Sequence, residues 1–178
     1  MEGLQWMHSE FCRDLHKNSL AVTSDSGSTE TMSPGQLRTQ QVTVGRHLAP
    51  DPGELGRLLR RFFSVYDPSK FSGTQRIVAA VAAHHRFLWI HPFLDFNGRL
   101  ARLLTQWQLE EAVPYIRGLW SLSRGILSRV DEYKSLLSRA DYPRQGARDG
   151  RGALSEKNLI GFCQFMLEVA IEELMTNE

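Results

Sequence analysis

Apolar residues recur at helical spacing along most of this chain. From Leu4 to Leu20, the residues Leu4, Met7, Phe11 and Leu15 fall on one face with Cys12 beside them, which predicts a first helix. Thr23 to Gly35 is rich in Ser, Thr, Asp and Gly and reads as a loop. Between Leu37 and His47 the pattern changes, and Thr39, Val42, Val44 and Gly45 predict a short hairpin. Pro50 and Pro52 punctuate the chain before an amphipathic helix over Glu54 to Val65, with Leu55, Leu58, Leu59, Phe62 and Phe63 inward. Thr74 to Trp89 predicts a strongly apolar helix whose alanines permit close contact, and Pro92 stops it near Ile90. A further helix starts near Asn97 and carries Leu100, Leu103, Leu104, Trp107 and Leu109. The last two span Leu122 to Ala140 and Leu154 to Met175, separated by a polar Gly/Arg loop from Asp141 to Gly152. The expected fold is mainly α, with one small hairpin and no internal repeat.

Composition adds bounds. At 178 residues and 42% hydrophobic content, one domain over residues 1–178 has a real core, with roughly two-thirds of its surface buried. With 21 basic and 20 acidic residues there is no global field to attract nucleic acid or a membrane surface. No apolar run approaches the ~20 residues that span a bilayer, and the N-terminus lacks a signal-peptide core. Cys12 and Cys163 lie far apart without metal-ligand spacing, as inert thiols of a reducing compartment would. A cytoplasmic location is the expectation.

The chemistry concentrates in His91-Pro92-Phe93-Leu94-Asp95-Phe96-Asn97-Gly98-Arg99-Leu100-Ala101-Arg102. His91 follows a helix and is either a general base for an incoming hydroxyl or a cap on helix-end carbonyls. Asp95 suits a magnesium ligand, an N-cap, or both. Asn97 and Gly98 open the next helix, where free N–H groups and the positive dipole end attract an anion. Arg99 and Arg102, three apart, lie on one side of its first turn, either as a solvated face or as phosphate clamps. His84 and His85 have no further ligands at zinc spacing and read as surface or core histidines. The three arginines between Arg144 and Arg151 read as a solvated loop, and Trp107 and Trp120 as core.

The segment 91–102 resembles the Fic family signature, His-Pro-Phe-x-(Asp/Glu)-(Gly/Ala)-Asn-Gly-Arg-x-x-Arg. Gly35-Gln36-Leu37-Arg38 followed by Gln41-Val42-Thr43-Val44-Gly45 is similar to the family's Gly-x-x-Arg segment and flap, about residues 36–47. Leu122 to Tyr133 and Asp149-Gly150-Arg151-Gly152 resemble bacterial members, so the likeness covers nearly the whole chain. It implies a Fic-type helical bundle with a hairpin flap beside the active-site loop, and transfer of AMP from Mg-ATP to a Ser, Thr or Tyr hydroxyl of a target protein. By resemblance, His91 is the general base, Asp95 binds Mg2+ and Asn97 orients the α-phosphate. The Gly98 amide and Arg99 hold the α/β-phosphates, Arg102 reaches the γ-phosphate, and Phe93 anchors the loop. Gly98 stands where phosphorylating relatives carry Lys, which favours AMP. Thr39, Gln40, Gln41, Val42, Thr43 and Val44 form an edge to which an extended target segment can add by backbone hydrogen bonds; the alternative is an ordinary lid.

Phe96 departs from the signature's Gly or Ala. At a position with φ > 0 it costs on the order of 1–2 kcal/mol in strain, and its ring is expected to cover the phosphates or displace the metal. Arg129-Val130-Asp131-Glu132-Tyr133 departs from the Asn-Arg pair that many relatives place ahead of the tyrosine. Ser26 to Glu30 matches only part of the family's inhibitory (Ser/Thr)-x-x-x-Glu-(Gly/Asn) pattern, since Thr31 follows. The chain therefore reads as a minimal or truncated member with no internal brake. Two readings stand: a protein adenylyltransferase, favoured by the intact His91, Asp95, Asn97, Arg99 and Arg102, or a degenerate domain that binds nucleotide or protein without turnover, favoured by Phe96.

Overall fold

The computed structural model describes residues 2–23 and 29–176. Its element order is α1 (Glu2–Cys12), β1 (Ala21–Thr23), β2 (Thr29–Thr31), β3 (Thr43–Val44), β4 (His47–Leu48), α2 (Leu55–Val65), α3 (Thr74–Ile90), α4 (Asn97–Ala112), α5 (Leu122–Ser128), α6 (Val130–Arg139) and α7 (Glu156–Thr176). The fold is mainly helical with two separate two-stranded antiparallel sheets. No described helix is long and apolar enough to cross a membrane.

Helix α3 is the axis of the bundle. Its small residues let α4 pack along it, while α2 and α7 cover other faces. Two apolar clusters flank it. One joins Val81, Leu122, Phe162 and Met166 across α3, α5 and α7; the other joins Leu4, Leu55, Leu59, Phe87 and Ile90 with Phe93 and Leu100 of the signature segment. The signature loop is thus rooted in core. Gly125 lets α5 lie close against α7, since a Cβ there would stand 2.7 Å from a Val169 methyl.

The departures from the sequence expectations have identifiable causes. Helix α1 ends at Cys12 rather than Leu20, because the chain turns back to lay Leu15, Leu20 and Val22 against Met32 and Phe96. The polar stretch 23–35 carries the β1–β2 hairpin, paired Ala21 to Thr31. The flap hairpin sits later and is shorter than predicted: Thr43 pairs with Leu48 and Val44 with His47, around a Gly45-Arg46 turn with Gly45 at φ 61°. Residues 39–42 lie outside the ladder, although the Ala49 amide still donates to the Val42 carbonyl at 3.1 Å. The helix expected over 122–140 breaks at Arg129 (φ −128°), next to a Ser128 hydroxyl that bonds back to the Gly125 carbonyl. Phe63 and Trp107, expected inside, are 39% and 51% exposed, whereas Trp120 is buried.

Candidate active site

Helix α3 ends where Pro92 denies it a continuing amide. His91 caps it in the left-handed region (φ 49°, ψ 63°), its own N–H bonded to the Phe87 carbonyl at 3.0 Å. A β-carbon is disfavoured there, so something must hold the turn. Arg38 does. Its buried guanidinium donates from Nε to the His91 carbonyl at 2.7 Å, and from Nη1 and Nη2 to the Gln40 and Pro50 carbonyls at 2.8 and 2.6 Å. Its amide donates to the Pro92 carbonyl at 3.0 Å. One side chain therefore joins both legs of the flap to the backbone of the histidine. Gly35 is explained as well: at φ 78°, a Cβ there would stand 2.9 Å from the Gln5 carbonyl oxygen of α1.

The loop from Phe93 to Asn97 is closed on itself. The Asn97 carboxamide, 2% exposed, accepts from the Phe93 amide at 3.0 Å and donates to the Phe93 carbonyl at 2.8 Å. Asn97 thus shapes the loop from beneath in this state. Phe93, fully buried, stacks on His8 at 3.9 Å. The Gly35 amide donates to His8 Nδ1 at 3.0 Å, which places the ring proton on Nε2, where it meets the Asp95 carbonyl at 3.3 Å. His8 went unnoticed in the sequence. Its only signal was position, four residues after Leu4 and four before Cys12 on the buried stripe of α1.

Phe96 sits at φ 63°, ψ 4°, so the backbone keeps the conformation a glycine would favour, and its amide is taken by Asp95 Oδ1 at 2.6 Å. The expectation for its ring is corrected. The ring is 4% exposed and points toward α1, packed with Cys12 and Met32, and it does not line the cleft beside His91. Helix α1 supplies an apolar socket for it through Phe11 and Cys12.

That cleft, about 570 Å³, lies between the flap, α3, the start of α4, and α6. His91, Gly98 and Arg102 meet in it with Arg46 and Lys134, so its charge suits an anion; Asp141, its carboxylate, is already engaged. His85 Nε2 lies 2.9 Å from one Asp141 oxygen and His47 Nδ1 3.5 Å from the other. His47 Nε2 also bonds the Trp89 carbonyl at 2.8 Å, tying the flap to the end of α3. The first turn of α4 has no side-chain cap, which leaves its opening amides for a ligand. Arg102 Nε donates to Ser123 at 3.2 Å. Arg99 lies on the other flank, its guanidinium 4.6 Å above the Phe96 ring. Asp95 is exposed beside the loop. Val44 of the flap reaches the cleft.

Burial pushes the His91 imidazole down to about 4; a hydrogen bond to the Leu88 carbonyl opposes this, and Arg38 adds to it. The ring is neutral at neutral pH and able to accept a proton. His84 is a core histidine, bonded to Thr105 at 2.9 Å and the Tyr133 hydroxyl at 2.8 Å, with its pKa lowered by burial to about 3. Cys12 and Cys163 are free and buried, and burial raises both thiols. The Arg144–Arg151 loop is only partly solvated: Arg151 donates to the Ala140 carbonyl at 2.6 Å, and Asp149 holds the start of α7 through the Lys157 amide. Of the partial inhibitory pattern, Ser26 lies outside the described residues, and the Glu30 carboxylate accepts from Gln40.

A model of the Fic/DOC family matches residues 6–109. Similar curated proteins include the protein adenylyltransferase Fic of Drosophila ananassae, 35% identical over 99 residues that make up 56% of this chain and 19% of that protein. The Drosophila erecta counterpart is 37% identical over 86 residues, 48% of this chain and 17% of the relative. The chain thus spans about a fifth of the length of these relatives. Among solved structures, a Fic family protein from Desulfovibrio desulfuricans G20 superposes with a TM-score of 0.70 at 22% identity, over 98% of this chain and 46% of its own. A Fic domain containing signaling protein from Bacteroides thetaiotaomicron VPI-5482 gives 0.66 at 18%, over 99% of this chain and 61% of its own. Identities this low speak for the fold alone, and the fold agrees. With the family match covering more than half its length and the same architecture beneath it, the chain belongs to the Fic/DOC family.

Proposed function

We propose that the chain is a protein adenylyltransferase, moving AMP from Mg-ATP to a Ser, Thr or Tyr hydroxyl of a target protein. The observation that carries this reading is a neutral, half-buried His91 facing the uncapped start of α4 and Arg102 in one cationic cleft. In the step, the target hydroxyl gives its proton to His91 while its oxygen bonds the α-phosphorus. The bond from that phosphorus to the bridging oxygen breaks, and pyrophosphate leaves with the electron pair. Little covalent work falls to the protein, so positioning and charge neutralisation dominate. The Gly98 amide and Arg99 take the α/β-phosphates and Arg102 the γ-phosphate. Asn97 fixes the loop that presents these groups.

Asp95 fits a magnesium site of the usual nucleotide kind, one exposed carboxylate with the remaining ligands coming from phosphates and water. When bound, the ion would neutralise phosphate charge. The target segment docks in extended form along Thr39 to Val44. Two free thiols agree with a reducing, cytoplasmic setting. The binding-only reading loses its motive, because the Phe96 ring stands outside the cleft.

The test is label transfer with magnesium and a panel of hydroxyl-bearing protein substrates, comparing ATP labelled at the α- and γ-phosphates. The α-label alone is expected on protein, falling about 10²–10⁴-fold in His91→Ala. Transfer of γ-label, or α-transfer undiminished by His91→Ala, would overturn the reading.

A further inference from the structure

The chain's departure from the family signature has a structural consequence at a second residue. Phe96 is held firmly. Its ring is in contact with Cys12 and Met32 below, with Phe11 at 5.6 Å and His8 at 6.3 Å from the side. Its free face is covered by the Arg99 guanidinium at 4.6 Å, within the range of a cation–π attraction. The stacking also fixes direction. Gly98 and Arg102 line the cleft that holds His91, but Arg99 does not; it lines a smaller concavity of about 320 Å³ with Phe11, Arg102 and Ser123. A glycine or alanine at position 96 offers a guanidinium no such partner.

We infer that Phe96 is a positioning residue for Arg99, parking its guanidinium on the far flank of α4 and so weakening the grip on a nucleoside triphosphate in the cleft. The inference rests on the nucleotide-transfer reading above. For Arg99 to reach phosphates it must leave the ring, and an exposed cation–π contact of ordinary strength corresponds to about two- to fivefold in affinity. Removing the ring while keeping apolar bulk therefore lowers the KM for Mg-ATP by about that factor and leaves kcat nearly unchanged, since neither His91 nor Arg102 is touched. The effect requires Arg99. A merely structural role for Phe96 would move both constants, with or without that arginine.

The experiment uses the full chain. In the nucleotide-free protein, the Arg99 Nε–Hε resonance is read by nitrogen-edited NMR; a ring-current displacement is expected that Phe96→Leu abolishes. KM and kcat for Mg-ATP are then measured for the natural chain, Phe96→Leu, Arg99→Ala and the double variant. Phe96→Met serves as a second ringless apolar side chain should Leu fail to fold. The lower KM should appear with Arg99 present and vanish in the Arg99→Ala background. An undisplaced Arg99 resonance overturns the inference, as does the same KM change with Arg99 removed. A displaced resonance with no use of ATP by any variant would instead overturn the nucleotide reading on which the inference is built.

Discussion

At the scale of single residues, two left-handed non-glycine positions, His91 and Phe96, bracket the signature loop. Each costs on the order of 1 kcal/mol or more, and each is held by neighbours far away in sequence. For His91 the neighbour is Arg38. Replacing Arg38 by Lys keeps the charge but removes the planar fork that reaches His91, Gln40 and Pro50 together. Arg38→Lys should lower unfolding stability by about 2–3 kcal/mol in urea titrations, with the flap amides of 43–48 losing hydrogen-exchange protection. The His91 environment makes a second prediction. Because burial sets its pKa near 4, the ring is already deprotonated at pH 5.5. The acid limb of kcat/KM, which reports the free enzyme, should therefore fall near pH 4 rather than near the ordinary histidine value of about 6.5, in a pH–rate profile taken where the fold is intact.

Among elements, α5 packs closely on α7 at Gly125. Gly125→Ala would gain roughly 1 kcal/mol in helix propensity but force its methyl against Val169, which is buried and backed by the α7 backbone. A net loss of about 1–2 kcal/mol is expected from thermal or urea unfolding; a stabilised variant would show that α7 can shift outward. The flap is the opposite case. It is two residue pairs long and rests on His47, Arg38 and the Ala49 amide rather than on its own ladder. The signature loop takes its shape from Asn97 and His8, one through the peptide it clasps and the other through the ring on which Phe93 lies.

For the whole molecule, the buried histidines tie stability to pH. The folded chain holds His84 near 3 and His91 near 4, both lowered by burial, whereas the unfolded chain binds their protons near 6.5. Unfolding therefore takes up protons, and stability, complete above about pH 6.5, is lost as pH falls through the window from 6.5 toward 4. His8 and His85, also lowered by burial, act in the same direction. Urea midpoints should fall steadily from pH 7 to pH 4.5, by several kcal/mol in total. His84→Gln should flatten part of that slope.

What the sequence determined by itself was the helical bundle and the family signature at 91–102. The boundary of α3 at Ile90 followed from Pro92, the start of α4 from Asn97, and the core role of Phe93 from the signature. Local rules suffice there, since a proline or an apolar period acts within one or two turns. Tertiary structure decided the rest. The early end of α1 and the β1–β2 hairpin in a polar stretch carry no proline or apolar signal, because they arise where segments distant in sequence pack, whereas the break at Arg129 goes with a local Ser128 bond to the Gly125 carbonyl. The same holds at the site. The letters of 91–102 named His91, Asp95, Arg99 and Arg102, but only packing set the His91 pKa, buried the Asn97 carboxamide and assigned Arg38 and His8 their roles. Whether a ring at position 96 would enter the cleft was likewise beyond the sequence: a φ > 0 fixes the strain, but where the side chain goes depends on α1, more than eighty residues earlier, having room for it.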